Sequence, residues 1–174
     1  QFTGNAMLDE DYLCNKLNKI IKTLSPDSNP ITTKFENTLR LTVNSKSFFL
    51  LLTQRFKFNP GKKTYSVKIP EEIINSNNLE LLNRCIRGIF DTDGCVAFDK
   101  RPSYKKDYIR ITLNMKSKEL IKQIHQFLLS QDIVSTMTRN YEVIQINGHK
   151  NCKRFVEIVG FSNRRHLDKI KNSL

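Results

Sequence analysis

Arg84-Cys85-Ile86-Arg87-Gly88-Ile89-Phe90-Asp91-Thr92-Asp93-Gly94-Cys95-Val96 is an apolar helical run that ends in two acids and a glycine. Gly94 lets the chain turn sharply into a strand. Gly88 costs a helix interior about 1 kcal/mol relative to alanine, which a close approach by another helix would explain. Asp91 and Asp93 stand where negative charge opposes the helix macrodipole. A bound cation would remove that conflict, and such oxygen ligands suit magnesium, which takes one or two carboxylates together with water and substrate phosphate. On these residues alone, a ligand-free Asp-x-Asp-Gly turn is the alternative.

Around this stretch the patterns alternate between helix and strand. Leu79 to Asp91 reads as a helix, and Cys95 to Arg101 as a strand. In a second strand, Ile109, Ile111, Leu113 and Met115 face one way, and Arg110, Thr112 and Asn114 the other. Ser117 is an N-cap for a helix whose stripe is Leu120, Ile121, Ile124, Phe127 and Leu128. Glu142 to Asn147 alternates again, with Tyr141, Gln145 and Asn147 on one face, and a helix follows over Lys150 to Val159.

The same order occurs earlier in the chain. Gln1 to Asn5 reads like Arg110 to Asn114, and the helix after it, from about Asp9, turns Leu13, Leu17, Ile20, Ile21 and Leu24 inward. Leu39 to Asn44 corresponds to Glu142 to Asn147, with Leu39, Leu41 and Val43 opposite Arg40, Thr42 and Asn44, and a helix spans Lys46 to Gln54. Between the copies, Tyr65, Val67 and Ile69 alternate as a strand within Lys62 to Pro70, and Glu71-Glu72 opens a helix. Two half-domains result, 1–78 and 79–174. The first lacks the helix and strand that open the second. The equivalent motif is therefore expected roughly 16 to 30 residues before Gln1, or on another chain.

Composition narrows the function. Lys and Arg total 29 against 17 Asp and Glu, a net charge of +12 in 174 residues, which favours polyanionic partners. Cys14, Cys85, Cys95 and Cys152 lack metal-site spacing and fit a reducing, intracellular setting (cytoplasm or an organelle matrix). No apolar run approaches the roughly 18 residues of a membrane span. The three histidines form no Ser/His/Asp arrangement, and no glycine-rich phosphate loop is present.

Ile86 to Gly94 resembles the LAGLIDADG motif position by position. Gly88, Asp91, Asp93 and Gly94 match outright, Ile86, Ile89 and Phe90 match in character, and Arg87 and Thr92 stand where alanine is commonest. Val67-Lys68-Ile69-Pro70-Glu71-Glu72-Ile73 also resembles that family's intein-type and archaeal-type members. The resemblance implies an α+β fold of two pseudo-symmetric αββαββα halves with curved antiparallel sheets in the DNA major groove. It implies a site-specific endonuclease that cuts long duplex targets with Mg2+ or another divalent cation. Asp93 would be the metal-binding acid, the Thr92 carbonyl a backbone ligand, and Asn114, with Asn5 as its first-half counterpart, a polar group near the metal and its water. Arg40, Thr42, Asn44, Lys68, Arg101, Lys105, Lys106, Arg110, Thr112, Arg139, Gln145 and Asn147 are the expected DNA contacts, since Arg, Asn and Gln read base edges and Lys and Thr fix phosphates. The rivals are a non-cleaving module on the same scaffold, an intron RNA maturase or a DNA-binding regulator, and an excised intein endonuclease domain.

Overall fold

The computed structural model describes residues 1–61, 64–100 and 108–171. It divides into two compact units, Gln1–Pro60 with Asn163–Arg165, and Gly61–Ser162 with His166–Leu174. No helix among the described residues is long and apolar enough to cross a membrane.

The second unit carries the Arg84–Val96 stretch. After α3 (Glu71–Ile74), α4 spans Leu79–Asp93 and runs directly into β4 (Gly94–Asp99). β5 (Tyr108–Asn114), α5 (Lys118–Ser130), β6 (Ser135–Thr138), β7 (Val143–Asn147) and α6 (His149–Ile158) follow, and α7 (Arg164–Lys171) ends the description. From α4 to α6 this is the expected αββαββα order. The strands form an antiparallel sheet in the order β4-β5-β7-β6.

Local chemistry fixes the helix starts. Asn78 Oδ1 accepts from the Leu81 N–H at 3.0 Å. Ser117 Oγ accepts from the Leu120 N–H at 3.3 Å and donates to the Val67 carbonyl at 2.6 Å. The whole predicted α5 stripe is buried. It packs with Ile86 and Phe90 of α4 and with Ile111, Leu113, Ile144 and Ile146 of the sheet. Phe90 meets Phe155 edge-on at 4.8 Å.

Gly94 is constrained by space. A Cβ there would stand 2.4 Å from the Phe90 carbonyl oxygen, which is backbone and cannot swing away. Gly94→Ala is therefore expected to destabilise the second unit by about 1–3 kcal/mol, the usual penalty of overpacking. Denaturant unfolding monitored on this unit measures it, and a loss below about 0.5 kcal/mol would show that the α4–β4 junction adjusts freely.

The segment before α3 differs from its sequence reading. Residues 64–70 form no strand, and Tyr65 is 75% exposed. No strand among the described residues pairs with them. Side chains take over instead: Ser117 bonds the Val67 carbonyl, and Gln123 Oε1 accepts the Ile69 N–H at 2.9 Å. Ile69 is buried in the second unit's core, so residues 61–78 sort with that unit rather than with the first half.

The first unit contains β1 (Phe2–Asn5), α1 (Asn18–Leu24, entered through π-helical Tyr12–Leu17), β2 (Ile31–Phe35), β3 (Thr38–Thr42) and α2 (Lys46–Leu50, leaving through π-helical Leu51–Arg55). Its antiparallel sheet runs β1-β3-β2, the order of β5-β7-β6. Phe2 pairs with Leu41 as Ile111 pairs with Ile146, so Arg40 is the counterpart of Gln145 and Thr42 of Asn147. This register lies two residues from the sequence correspondence of Leu39–Asn44 with Glu142–Asn147, a shift that preserves the faces because strand period is two.

Leu13 and Ile21 are buried as expected, but Ile20 and Leu24 are each 53% exposed. The π-helical turn widens the local period beyond 3.6. Leu13, Leu17 and Ile21, four apart, stay on the packed side, and Ile20 and Leu24 rotate out of it.

Candidate nucleic-acid interface and metal-binding acid

The two motif acids separate at the end of α4. Asp91 is fully buried and accepts from the Ser162 N–H at 2.8 Å and from the Ser162 hydroxyl. It joins the end of the motif helix to the turn after α6. Arg87, four residues earlier, donates Nε to the Val159 carbonyl at 2.6 Å and so caps the C-terminus of α6. The arginine that replaces the commoner alanine thus has a structural use.

Asp93 is exposed, and its Oδ2 accepts from the Thr92 hydroxyl at 2.8 Å. No Lys or Arg among the described residues pairs with it. β4 pairs Gly94 with Leu113, so Asn114, one residue on and exposed, stands beside the Asp93 position at the same end of the sheet. Among the described residues no group of three His, Cys, Asp or Glu could hold a metal ion. The donors fit a hard cation all the same: an exposed carboxylate with no cationic partner among the described residues, at a helix C-terminus, where the macrodipole also favours positive charge.

Burial pushes the Cys85 and Cys152 thiols each up to about 11, so both are protonated at neutral pH.

The solvent side of the second sheet collects the predicted contacts. Thr112 and Gln145 share a cross-strand row with Cys95 and Thr136, and Arg110 shares one with Ala97 and Asn147. Arg139 is exposed at the β6–β7 tip, where it, Asn140 and Tyr141 all hold positive φ, at 49°, 54° and 67°. Beside the tip Lys116 donates to Glu142 at 2.7 Å, and the bond holds the carboxyl below and the ammonium above their ordinary ranges.

In the first unit Arg40 is exposed on β3 in a row with Thr3 and Thr33, and Thr42 lies on the same face. Asn44 is exposed just beyond the strand. The Asn5 side chain closes a turn, its Oδ1 accepting from the Met7 and Leu8 N–H groups at 2.9 and 3.0 Å. Lys68 donates to Glu71 at 2.6 Å and belongs to neither sheet. Arg101, Lys105 and Lys106 lie outside the described residues.

Sequence reasoning missed Asp99, whose carboxylate accepts from Arg110 across β4 and β5. It also missed α7, where Lys169 donates to the Val96 carbonyl of edge strand β4 at 3.1 Å. The parity that puts Cys95 and Ala97 on the outer face of β4 puts Asp99 there too, and that was the available signal.

An αββαββα unit with an exposed acid at the end of its first helix, ahead of a polar sheet face, defines a LAGLIDADG-type fold. Residues 80–160 match the family model of the LAGLIDADG-like domain. The fold is that of the homing endonucleases. I-DmoI, solved in complex with DNA and Ca, matches 98% of this chain and 81% of its own at TM-score 0.59 and 15% identity. I-SmaMI, bound to uncleavable DNA, matches 95% and 75% at TM-score 0.52 and 9% identity.

In sequence, the DNA-directed RNA polymerase subunit Rpo1C of Methanocaldococcus jannaschii is 36% identical over 124 residues, 68% of this chain and 13% of that protein. The replication factor C small subunit of the same organism is 30% identical over 118 residues, 63% of this chain and 6% of that protein. Its reverse gyrase is 34% identical over 79 residues, 44% of this chain and 5% of that protein. The chain thus spans a small part of each of these relatives.

Proposed function

We propose that this chain is a site-specific DNA endonuclease, or most of one, that hydrolyses phosphodiester bonds in long duplex targets with a divalent cation, Mg2+ first among them. The observation that carries it is the division of labour between the motif acids: Asp91 buried and bonded to Ser162, Asp93 exposed beside Asn114 and without a cationic partner among the described residues. Asp93 and the Thr92 carbonyl would hold the cation, which when bound supplies activation of water and stabilisation of the leaving oxygen. Asn114 would orient water at that end of the sheet, and Asn5 would do so in the other half through its side-chain nitrogen. Arg40, Arg110, Gln145 and Asn147 would read bases, and Thr42, Thr112, Arg139 and Lys residues would meet phosphates.

One acid serves one strand. A double-strand cut therefore requires a second motif acid, from a second chain or from a segment outside these 174 residues. The relatives support a mobile element: proteins whose names describe unrelated activities share this stretch, and it makes up 13%, 6% and 5% of them.

The test is a library of duplex targets incubated with the protein in magnesium and in EDTA. Cutting in magnesium alone is expected. Sequence-selective binding without any metal-dependent cut would instead identify a non-cleaving module. Affinity is expected to fall steeply with salt, with a log–log slope of about −0.9 per neutralised phosphate, because a +12 chain releases counterions from DNA. A titration from about 50 to 200 mM salt measures the slope, and a flat one would sink the electrostatic reading.

A further inference from the structure

We propose that Asp99 and Arg110 form one base-reading unit on the outer face of the second sheet, with Asp99 as the specificity-determining residue that turns Arg110 toward the guanine of a G·C pair. The inference rests on the reading of that face as a DNA-binding surface.

The register places the pair. Ala97 is opposite Arg110 and Asp99 opposite Tyr108, so Asp99 stands diagonally across from Arg110 on the same side of β4 and β5. The guanidinium NH2 donates to Asp99 Oδ2. Both side chains are only partly accessible, 27% for Arg110 and 31% for Asp99, and Arg110 Nε is buried with no partner among the described residues. Arg110 is therefore held at one edge through Nη2, with Nε turned inward. Its in-row neighbours are the methyl of Ala97 and the amide of Asn147, neither of which carries charge.

Electrostatics decides what the guanidinium meets. A carboxylate beside the fork repels a phosphate, so the pair is poorly suited to the DNA backbone and suited to a base edge. Guanine offers the two acceptors O6 and N7 that a guanidinium meets in pairs, and its cytosine offers an N4 donor that a carboxylate accepts. An arginine fixed by a neighbouring acid also has fewer rotamers to lose on binding. A surface ion pair kept only for sheet stability would predict none of this selectivity.

The experiment compares equilibrium binding to the preferred duplex and to all its single-base variants, for the wild-type chain, Asp99→Asn and Arg110→Lys. The wild type is expected to prefer guanine at one position by roughly 10- to 100-fold. Asp99→Asn should shrink that preference to within about threefold at that position alone. It should also bind duplexes lacking the guanine more tightly, because a negative charge has left the DNA face. Arg110→Lys keeps the charge and loses the fork, and should lose preference at the same base pair. Full guanine preference in Asp99→Asn, or an equal loss of affinity for every sequence, would overturn the inference. A wild-type chain that binds no duplex would instead overturn the functional reading beneath it.

Discussion

Asp93→Asn is expected to abolish metal-dependent cleavage while leaving duplex binding and stability intact. Asp93 is exposed, and its side-chain hydrogen bond among the described residues comes from the Thr92 hydroxyl, which an asparagine oxygen also accepts. A change of stability beyond about 0.5 kcal/mol is not expected at such a site. What the substitution removes is the negative charge that, in the proposed function, would hold a divalent cation. Asp91 gives the contrast, two residues away. It is fully buried and accepts two donors from Ser162, so Asp91→Asn turns an amide group toward one of them and strands it. That should cost about 1–3 kcal/mol and appear first in a melting curve. Cleavage gels, filter binding and thermal unfolding on both variants separate the two roles. Full cutting by Asp93→Asn in magnesium would refute the assignment, and so would a melting point that falls as far as that of Asp91→Asn.

The two acids also show how far the sequence was legible. Two residues along a helix turn through about 200°, so Asp91 and Asp93 had to face opposite ways. Phe90 and Ile86 already marked the inner face. Strand alternation alone puts Arg110 with Thr112 and Gln145 with Asn147 on the polar side of their strands, because period two admits only two faces. The α5 stripe was legible for the same reason at period 3.6. Failures came where a pattern had no partner or its period changed. Tyr65, Val67 and Ile69 alternate like a strand, but alternation does not supply a neighbouring strand, and side chains of Ser117 and Gln123 satisfied the backbone instead. Ile20 and Leu24 left the core because a π-helical turn reset the phase of their helix. Lys68 found Glu71 three residues on, a pairing that spacing could have shown. The Asp99–Arg110 pair needed the register between β4 and β5, which depends on the length and path of the connection rather than on either strand.

Gly88→Ala is expected to raise stability and lower activity together. Nothing among the described residues lies within 4 Å of a Cβ built at Gly88, so alanine fits without strain. The helix would gain about 1 kcal/mol from the propensity difference alone, or roughly 2–4 °C in melting temperature for a chain of this size. A glycine kept at that cost calls for a reason. Leu81, Cys85, Gly88 and Thr92, spaced four, three and four apart, form one face of α4. Leu81 on that face is 40% exposed. If a second motif helix packs there, as the proposed double-strand chemistry requires, each added carbon pushes the two backbones and their terminal acids apart. Misplacement by about 1 Å can cost a reaction on the order of a hundredfold. Gly88→Ala should therefore lose cutting by about tenfold or more, and Gly88→Leu should abolish it and the association that brings the second helix. Thermal unfolding, light scattering and cleavage on the same three proteins test this. A Gly88→Leu variant that associates and cuts like the wild type would mean that no helix approaches this face, and that Asp93 works without a partner acid beside it.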